Sequence, residues 1–246
     1  MTELLCQIDS YLKEFDATIV SVDVESRAVV LNRTAFYPGG GGQPCDFGVL
    51  RVDGTESPVT KVKKRGADAL HFIGGDAALP EVGASVHGEI DWERRYQLMR
   101  AHTAMHILCG VVFRDYGALV TGGNMDPLKG RMDFEFETMR KELVEEIEKA
   151  INIEAQKGLD VKVAVLPREE AFQIPDLIRT KINLLPKGIN EIRTIEIVGL
   201  DLQADGGTHL HNTSEIGTMR VTNYKSKGKI NKRIYVEVKG RPHYFI

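Results

Sequence analysis

Cysteine is scarce in this 246-residue sequence, and no long apolar run occurs. The three cysteines, Cys6, Cys45 and Cys109, are scattered and odd in number. That excludes a disulfide framework, fits a reducing compartment, and leaves each to be read as a buried or incidental thiol. No stretch approaches the roughly 18 to 20 apolar residues that cross a bilayer, and the opening MTELLCQIDSYLKEF lacks a basic flank before an apolar stretch. No membrane span or secretory leader is therefore expected, and the protein is read as cytoplasmic. An excess of one charge is also missing: 32 Lys and Arg stand against 35 Asp and Glu, a formal net charge of -3, which argues against a general nucleic-acid binder. The glycines Gly39 to Gly42 are not followed by the Gly-Lys-Ser/Thr of a P-loop and do not keep the Gly-x-Gly-x-x-Gly spacing of a dinucleotide site. A tight hairpin or a close backbone approach explains them better.

What is present is a chain with 42% hydrophobic residues, enough for a real core. Over residues 1–90, ATIVSVDVES, RAVVLNRTAFY, FGVLRVDG, SPVTKVKKRG, ALHFIGG and ASVHGEI are short β-branched segments separated by Gly, Pro and Asp turns. So many short strands in so few residues predict a small N-terminal β-barrel domain. From Trp92 to about Tyr116, Leu98, Met105, Leu108 and Val112 recur at helical spacing. A second helix is predicted from about Thr138 to Lys157, with Leu143, Ile147 and Ile151 on one stripe and Gly158 as its stop. VKVAVLP, EIRTIEIVG, IGTMRVTNYKS and KRIYVEVKG read as strands, and AFQIPDLIRTKI as a short helix broken by Pro175. The fold class is thus α+β: the barrel over 1–90, then over 91–246 a mixed domain with helices packed on an antiparallel sheet.

Two pairs of residues carry the chemistry. His102 and His106 stand four apart on the first helix, where the rise of about 6 Å brings both imidazoles to one face. Two helical histidines that merely hydrogen-bond are the plain alternative. Thr103 occupies the position at which zinc proteases carry their glutamate base, which disfavours a protease. Farther on, Asp205 and His209 flank a Gly-Gly pair suited to a tight ligand loop, or to an ordinary hairpin turn. Together His102, His106, Asp205 and His209 form a sensible tetrahedral set for zinc, with His211 as a competitor of His209 and a role for Asp205 behind the ligands also open.

The spacing His-x-x-x-His on a helix followed by x-Gly-Gly-Thr-His resembles the editing domain of alanyl-tRNA synthetases and their freestanding AlaX relatives. Thr34-Ala-Phe-Tyr-Pro-Gly-Gly-Gly-Gly-Gln43 is similar to the family's Thr-x-Phe-Tyr segment and glycine-rich stretch, and Asp46-Phe-Gly48 to its Asp-x-Gly. Arg131-Met-Asp-Phe134, Ile192-Arg193 and Lys227-Gly through Arg233-Ile extend the resemblance over nearly the whole chain. Having both the glycine-rich barrel and the metal domain makes it similar to the medium-length type. One departure stands out: Asp205 occupies the position where the family usually has Cys. A carboxylate binds zinc more weakly than a thiolate but leaves the ion more Lewis acidic.

The resemblance implies a zinc-dependent aminoacyl-tRNA hydrolase, with one zinc ion per chain, acting in trans without ATP on tRNA(Ala) mischarged with serine, with the glycine-charged form as a second candidate substrate. It implies His102 and His106 as catalytic as well as metal-binding, and Thr34 and Gln43 as residues that select the amino acid across a cleft. Without it, Thr34 is a strand-end threonine and Gln43 a turn glutamine. The alternatives are a tRNA-binding module that has lost catalysis, a zinc hydrolase of another mischarged tRNA or small ester, and a purely structural zinc. Between Arg220 and Ile246, eight basic residues and one acid (Glu237) leave a local charge of +7, which is either a solvated face or a contact for RNA phosphates. The oligomeric state is not legible.

Overall fold

The computed structural model describes residues 1–76, 78–180 and 188–240. The chain divides into two compact units, Met1–Gln97 and Leu98–Ile246. The first holds strands β1 (Glu3–Leu4), β2 (Glu14–Asp23), β3 (Ala28–Leu31), β4 (Arg33–Thr34), β5 (Gly48–Val52), β6 (Thr55–Arg65), β7 (Asp68–Ile73) and β8 (Ser85–Ile90). Six of them close into a barrel in the order β2-β3-β7-β6-β5-β8, with every neighbouring pair antiparallel. Alternation fills it: Phe15, Ala17 and Ile19 leave β2 on one side, and pack with Val29, Leu31, Leu50 and Val86. Gly48 is required by close approach, since a Cβ there would overlap the backbone of Glu89 and Ile90 and the ring of Phe36.

The glycine-rich segment leaves β4 and is pinned by a buried ion pair. Asp46 and Arg95 pair with their side chains fully buried. Arg95 also donates to the carbonyls of Ser10 at 2.9 Å and Ala35 at 2.6 Å, while Asp46 Oδ2 accepts the Tyr37 N–H at 2.6 Å. The turn itself closes between Gly40 and Gln43, each backbone N–H donating to the other's carbonyl.

Helix α1 (Trp92–Tyr116) matches the range expected from its spacing, and the division between the units falls within it. From Leu98 to Val112 every residue is buried. α1 is therefore a central helix, covered on all sides, where the sequence suggested a single apolar stripe. The second unit adds β9 (Val120–Asp126), β10 (Lys129–Glu135), helix α2 (Lys141–Gln156), β11 (Val161–Pro167), helix α3 (Arg168–Ala171), β12 (Glu191–Ile197), β13 (Asp201–Ala204), β14 (Thr218–Ser226) and β15 (Asn231–Lys239). They form two antiparallel sheets, β14-β15-β10-β9 and β11-β12-β13. α2 begins three residues later than expected and stops before Gly158, whose φ of +66° only glycine adopts freely.

The expected helix over AFQIPDLIRTKI is corrected. α3 ends at Ala171, and turns follow. Pro175 lacks the N–H a helix needs and disfavours helical backbone at Ile174, and Asp176 takes a φ of +54°. Residues 181 and 182 of that segment lie outside the described residues. Among the described residues no helix is long and apolar enough to cross a membrane.

Candidate metal centre

α1 sets His102 and His106 one turn apart with ring centroids 5.2 Å from each other. The segment after β13 brings the other pair. Asp205 N–H donates to the Arg193 carbonyl at 3.1 Å, and Arg193 Nη1 donates to the Asp205 carbonyl at 2.9 Å, so β12 grips the loop where it leaves β13. Asp205 Oδ1 accepts the Gly207 N–H at 2.6 Å, tightening the Gly-Gly turn. Leu210 N–H then donates to Thr103 Oγ1 at 3.1 Å, which ties the loop to α1 between the two histidines. The His209 ring ends 4.1 Å from that of His102 and 4.8 Å from that of His106, centroid to centroid.

One donor atom from each of His102, His106, Asp205 and His209 lies within 4.8 Å of all the others. His211 is exposed and outside this group. A tetrahedral zinc with bonds of about 2.0 to 2.1 Å needs donors about 3.4 Å apart. Asp205 Oδ2 is 3.5 Å from His102 Nε2 and 4.0 Å from His106 Nε2, and its Oδ1 is 3.9 Å from His209 Nε2. Three imidazoles and one carboxylate at these separations fit a borderline divalent cation such as zinc.

The electrostatics agree with a cation-binding set. Burial alone would raise the Asp205 carboxyl, but the facing His102, His209 and His106 hold it well below the usual carboxylate range. Burial, and then the charge of His102, keeps His209 well below the ordinary imidazole value, favouring the neutral form that ligates. Burial pulls His106 down, but its hydrogen bond to Asp201 and the charges of Asp201 and Asp205 outweigh it and raise the ring.

Close packing holds α1 in place. A Cβ on Gly110 would sit 2.9 Å from Leu200 Cγ and 3.0 Å from Asp201 Cβ, and one on Gly130 would sit 2.5 Å from Met105 Sδ. None of the three cysteines is in a disulfide. Burial, reinforced by the Asp201 charge, pushes the Cys109 thiol up, so it is an inert packing group one turn beyond His106.

The four expected ligands thus come together within the unit 98–246, whereas Thr34 and Gln43 belong to the unit 1–97. Thr34 ends β4 and Gln43 closes the glycine turn; both are buried. Sequence reasoning missed Asp201, Gln203, Arg179, Thr103 and His71. A signal existed for the first two, a charged and a polar residue alternating on one strand just ahead of Asp205. Part of the basic tail is neutralised: Arg233 pairs with Asp133 through two bonds of 2.6 and 2.8 Å, Arg220 approaches Glu148 to 3.3 Å and Lys239 approaches Glu237 to 3.7 Å. Lys225, Lys227 and Lys229 are exposed, and Arg241 lies outside the described residues.

Residues 2–94 match the family described as tRNA synthetases class II (A), and residues 192–235 match the threonyl and alanyl tRNA synthetase second additional domain. Over 241 residues the chain is 43% identical to the alanyl-tRNA editing protein AlaX-M of Saccharolobus solfataricus, an alignment covering 97% of this chain and 100% of that protein. The AlaX-M protein of Methanosarcina acetivorans is 40% identical, with 96% of this chain and 98% of its own length covered. The alanine–tRNA ligase of Pyrobaculum neutrophilum is 38% identical over 220 residues, 87% of this chain but 24% of the ligase.

Proposed function

Since the chain belongs to the AlaX-M family of alanyl-tRNA editing proteins, we propose that it hydrolyses the ester joining serine to wrongly charged tRNA(Ala), in the cytoplasm, in trans and without ATP. The observation that carries this reading is the convergence of His102, His106, Asp205 and His209 on one buried point. In this reading residues 91–246 form the catalytic domain and residues 1–90 supply selectivity.

His102, His106, Asp205 and His209 would hold one zinc ion. Zinc in such a site can polarise an ester carbonyl and lower the pKa of water. Water adds to the ester carbonyl, the bond to the terminal ribose oxygen breaks, and free serine leaves tRNA with its hydroxyl restored. The chain's own part is preorganisation. Asp205 offsets positive charge in a buried site, His209 stays neutral and able to donate its lone pair, and Arg193 and Thr103 hold the loop against β12 and α1. Thr34 and Gln43 would recognise the serine hydroxyl. That favours serine over alanine, because a site built to pair with an OH is left with an unpaired buried group when the OH is absent. The exposed Lys225, Lys227 and Lys229 offer charge for tRNA phosphates.

The test is hydrolysis of purified seryl-tRNA(Ala) and alanyl-tRNA(Ala), with glycyl-tRNA(Ala) as a third substrate and zinc measured on the same sample. Rapid release of serine with alanine spared, from protein holding one zinc per chain, is the expected result. Release of neither serine nor glycine by zinc-loaded protein would overturn the catalytic reading.

A further inference from the structure

A buried carboxylate behind the four-residue cluster is not accounted for by ligation. Asp201 opens β13, its side chain is fully buried, and its Oδ2 lies 2.9 Å from His106 Nδ1. A carboxylate oxygen accepts, so the imidazole nitrogen facing it is the donor and carries the proton. The ring's other nitrogen, Nε2, is the one within 4.0 Å of Asp205 Oδ2. The proton is therefore on the side of the ring away from the cluster, and the lone pair is on the side toward it.

Asp201 is itself held. Gln203 lies two residues along the same strand, hence on the same side, and its Nε2 donates to the same Oδ2 at 2.6 Å. Arg179 Nε stands 3.5 Å from the other oxygen, Oδ1, and its guanidinium carbon lies 3.7 Å from the centroid of Phe113 on α1. Gly110 keeps α1 close enough for these contacts, since even a methyl group there would press on Asp201 Cβ. One carboxylate thus joins the helix that carries two cluster histidines to the strand that leads into Asp205.

We infer that Asp201 is a positioning residue that fixes the tautomer and orientation of His106, with Gln203 and Arg179 fixing Asp201 in turn, so that His106 presents a bare Nε2 to the cluster. This rests on the reading that the cluster holds a divalent metal. A ligating imidazole whose far N–H is anchored on a carboxylate is oriented and more basic, and loss of such a partner typically lowers metal affinity about 10- to 100-fold. A merely structural carboxylate would cost stability when removed and leave the affinity alone.

The experiment compares the full-length wild-type chain with Asp201→Asn, measuring zinc affinity by competition with a chromophoric chelator and the His106 tautomer of the metal-free protein by nitrogen-15 NMR. The expected result is a 10- to 100-fold weaker zinc affinity and loss of the single Nδ1–H tautomer. One zinc per wild-type chain with equal affinity in the variant would overturn this inference alone. No zinc uptake by the wild-type chain would overturn the metal reading and this inference with it. Should Asp201→Asn fail to fold, Gln203→Met removes only the amide that holds Oδ2. A several-fold weaker zinc affinity is then expected, and an unchanged one overturns the inference.

Discussion

Thr34 Oγ1 lies 2.9 Å from His71 Nε2, and the direction of that hydrogen bond is set on the far side of the ring, where His71 Nδ1 is 3.2 Å from the carbonyl oxygen of Val29. A carbonyl only accepts, so Nδ1 carries the proton, Nε2 is bare, and the Thr34 hydroxyl donates to it. The Phe36 N–H uses one lone pair of Oγ1 at 3.1 Å. What remains to Thr34 is one lone pair, and in the proposed reading it accepts from a serine hydroxyl and has nothing to accept from alanine. His71, on barrel strand β7, thereby fixes which way the Thr34 hydroxyl points.

Thr34→Val keeps the shape and removes this acceptor. We expect zinc content to stay at the wild-type value, while kcat/KM for seryl-tRNA(Ala) falls at least about 10-fold and the preference over alanyl-tRNA(Ala) shrinks accordingly. Parallel kinetics on the two substrates check this. Undiminished preference in the variant would remove Thr34 from the selecting groups.

The same histidine couples barrel stability to pH. Burial first of all holds the His71 ring down at about 4, so it stays neutral where an exposed imidazole of pKa 6.5 would charge. As pH falls below 6.5 the unfolded chain takes up a proton that the folded chain refuses, and stability declines until the folded ring protonates near 4. The gap corresponds to about 3 kcal/mol at most. Urea unfolding of wild type and His71→Gln at pH 7, 5.5 and 4 should show the variant less stable at pH 7 but with a flatter decline. Parallel declines would mean that His71 titrates alike in both states.

Much of this fold is legible in the sequence. The barrel strands announce themselves because Phe15, Ala17 and Ile19 alternate and turns interrupt them, and α1 because its apolar residues repeat without a breaker. β9 is not legible: VTGGNMD has few β-branched residues, and its strand character comes from pairing with β10. The site divides in the same way. The candidate ligands His102 and His106 show by spacing on one helix, and Asp205 with His209 by flanking the Gly-Gly turn. Asp201 meets His106 across 95 positions and His71 meets Thr34 across 37, and such contacts exist only once the chain has folded.

Asp46 and Arg95 provide a stability prediction within the unit 1–97. Both side chains are fully buried and satisfy one another together with the Ser10 and Ala35 carbonyls and the Tyr37 N–H. Asp46→Ala leaves a buried guanidinium without its counter-charge, which should cost about 3 to 5 kcal/mol. Urea unfolding of the two proteins at one pH measures it. A loss under about 1 kcal/mol would mean that water reaches Arg95 in the variant.

Asp205→Cys tests how the carboxylate contributes. Its oxygens stand 3.5 to 4.0 Å from the three imidazole nitrogens that face it, a ligand's place in a tetrahedron. A thiolate there is softer and is expected to tighten zinc binding by about 10-fold or more. The same softness donates more charge to the ion and lessens its Lewis acidity, and the Gly207 N–H loses its carboxylate acceptor, so kcat for seryl-tRNA(Ala) should fall as affinity rises. Zinc competition and deacylation kinetics on one preparation separate the cases. Tighter zinc with slower turnover places Asp205 among the ligands. Unchanged affinity with altered kinetics would place it behind them, acting on a ligand or on water, with the three histidines holding the ion alone.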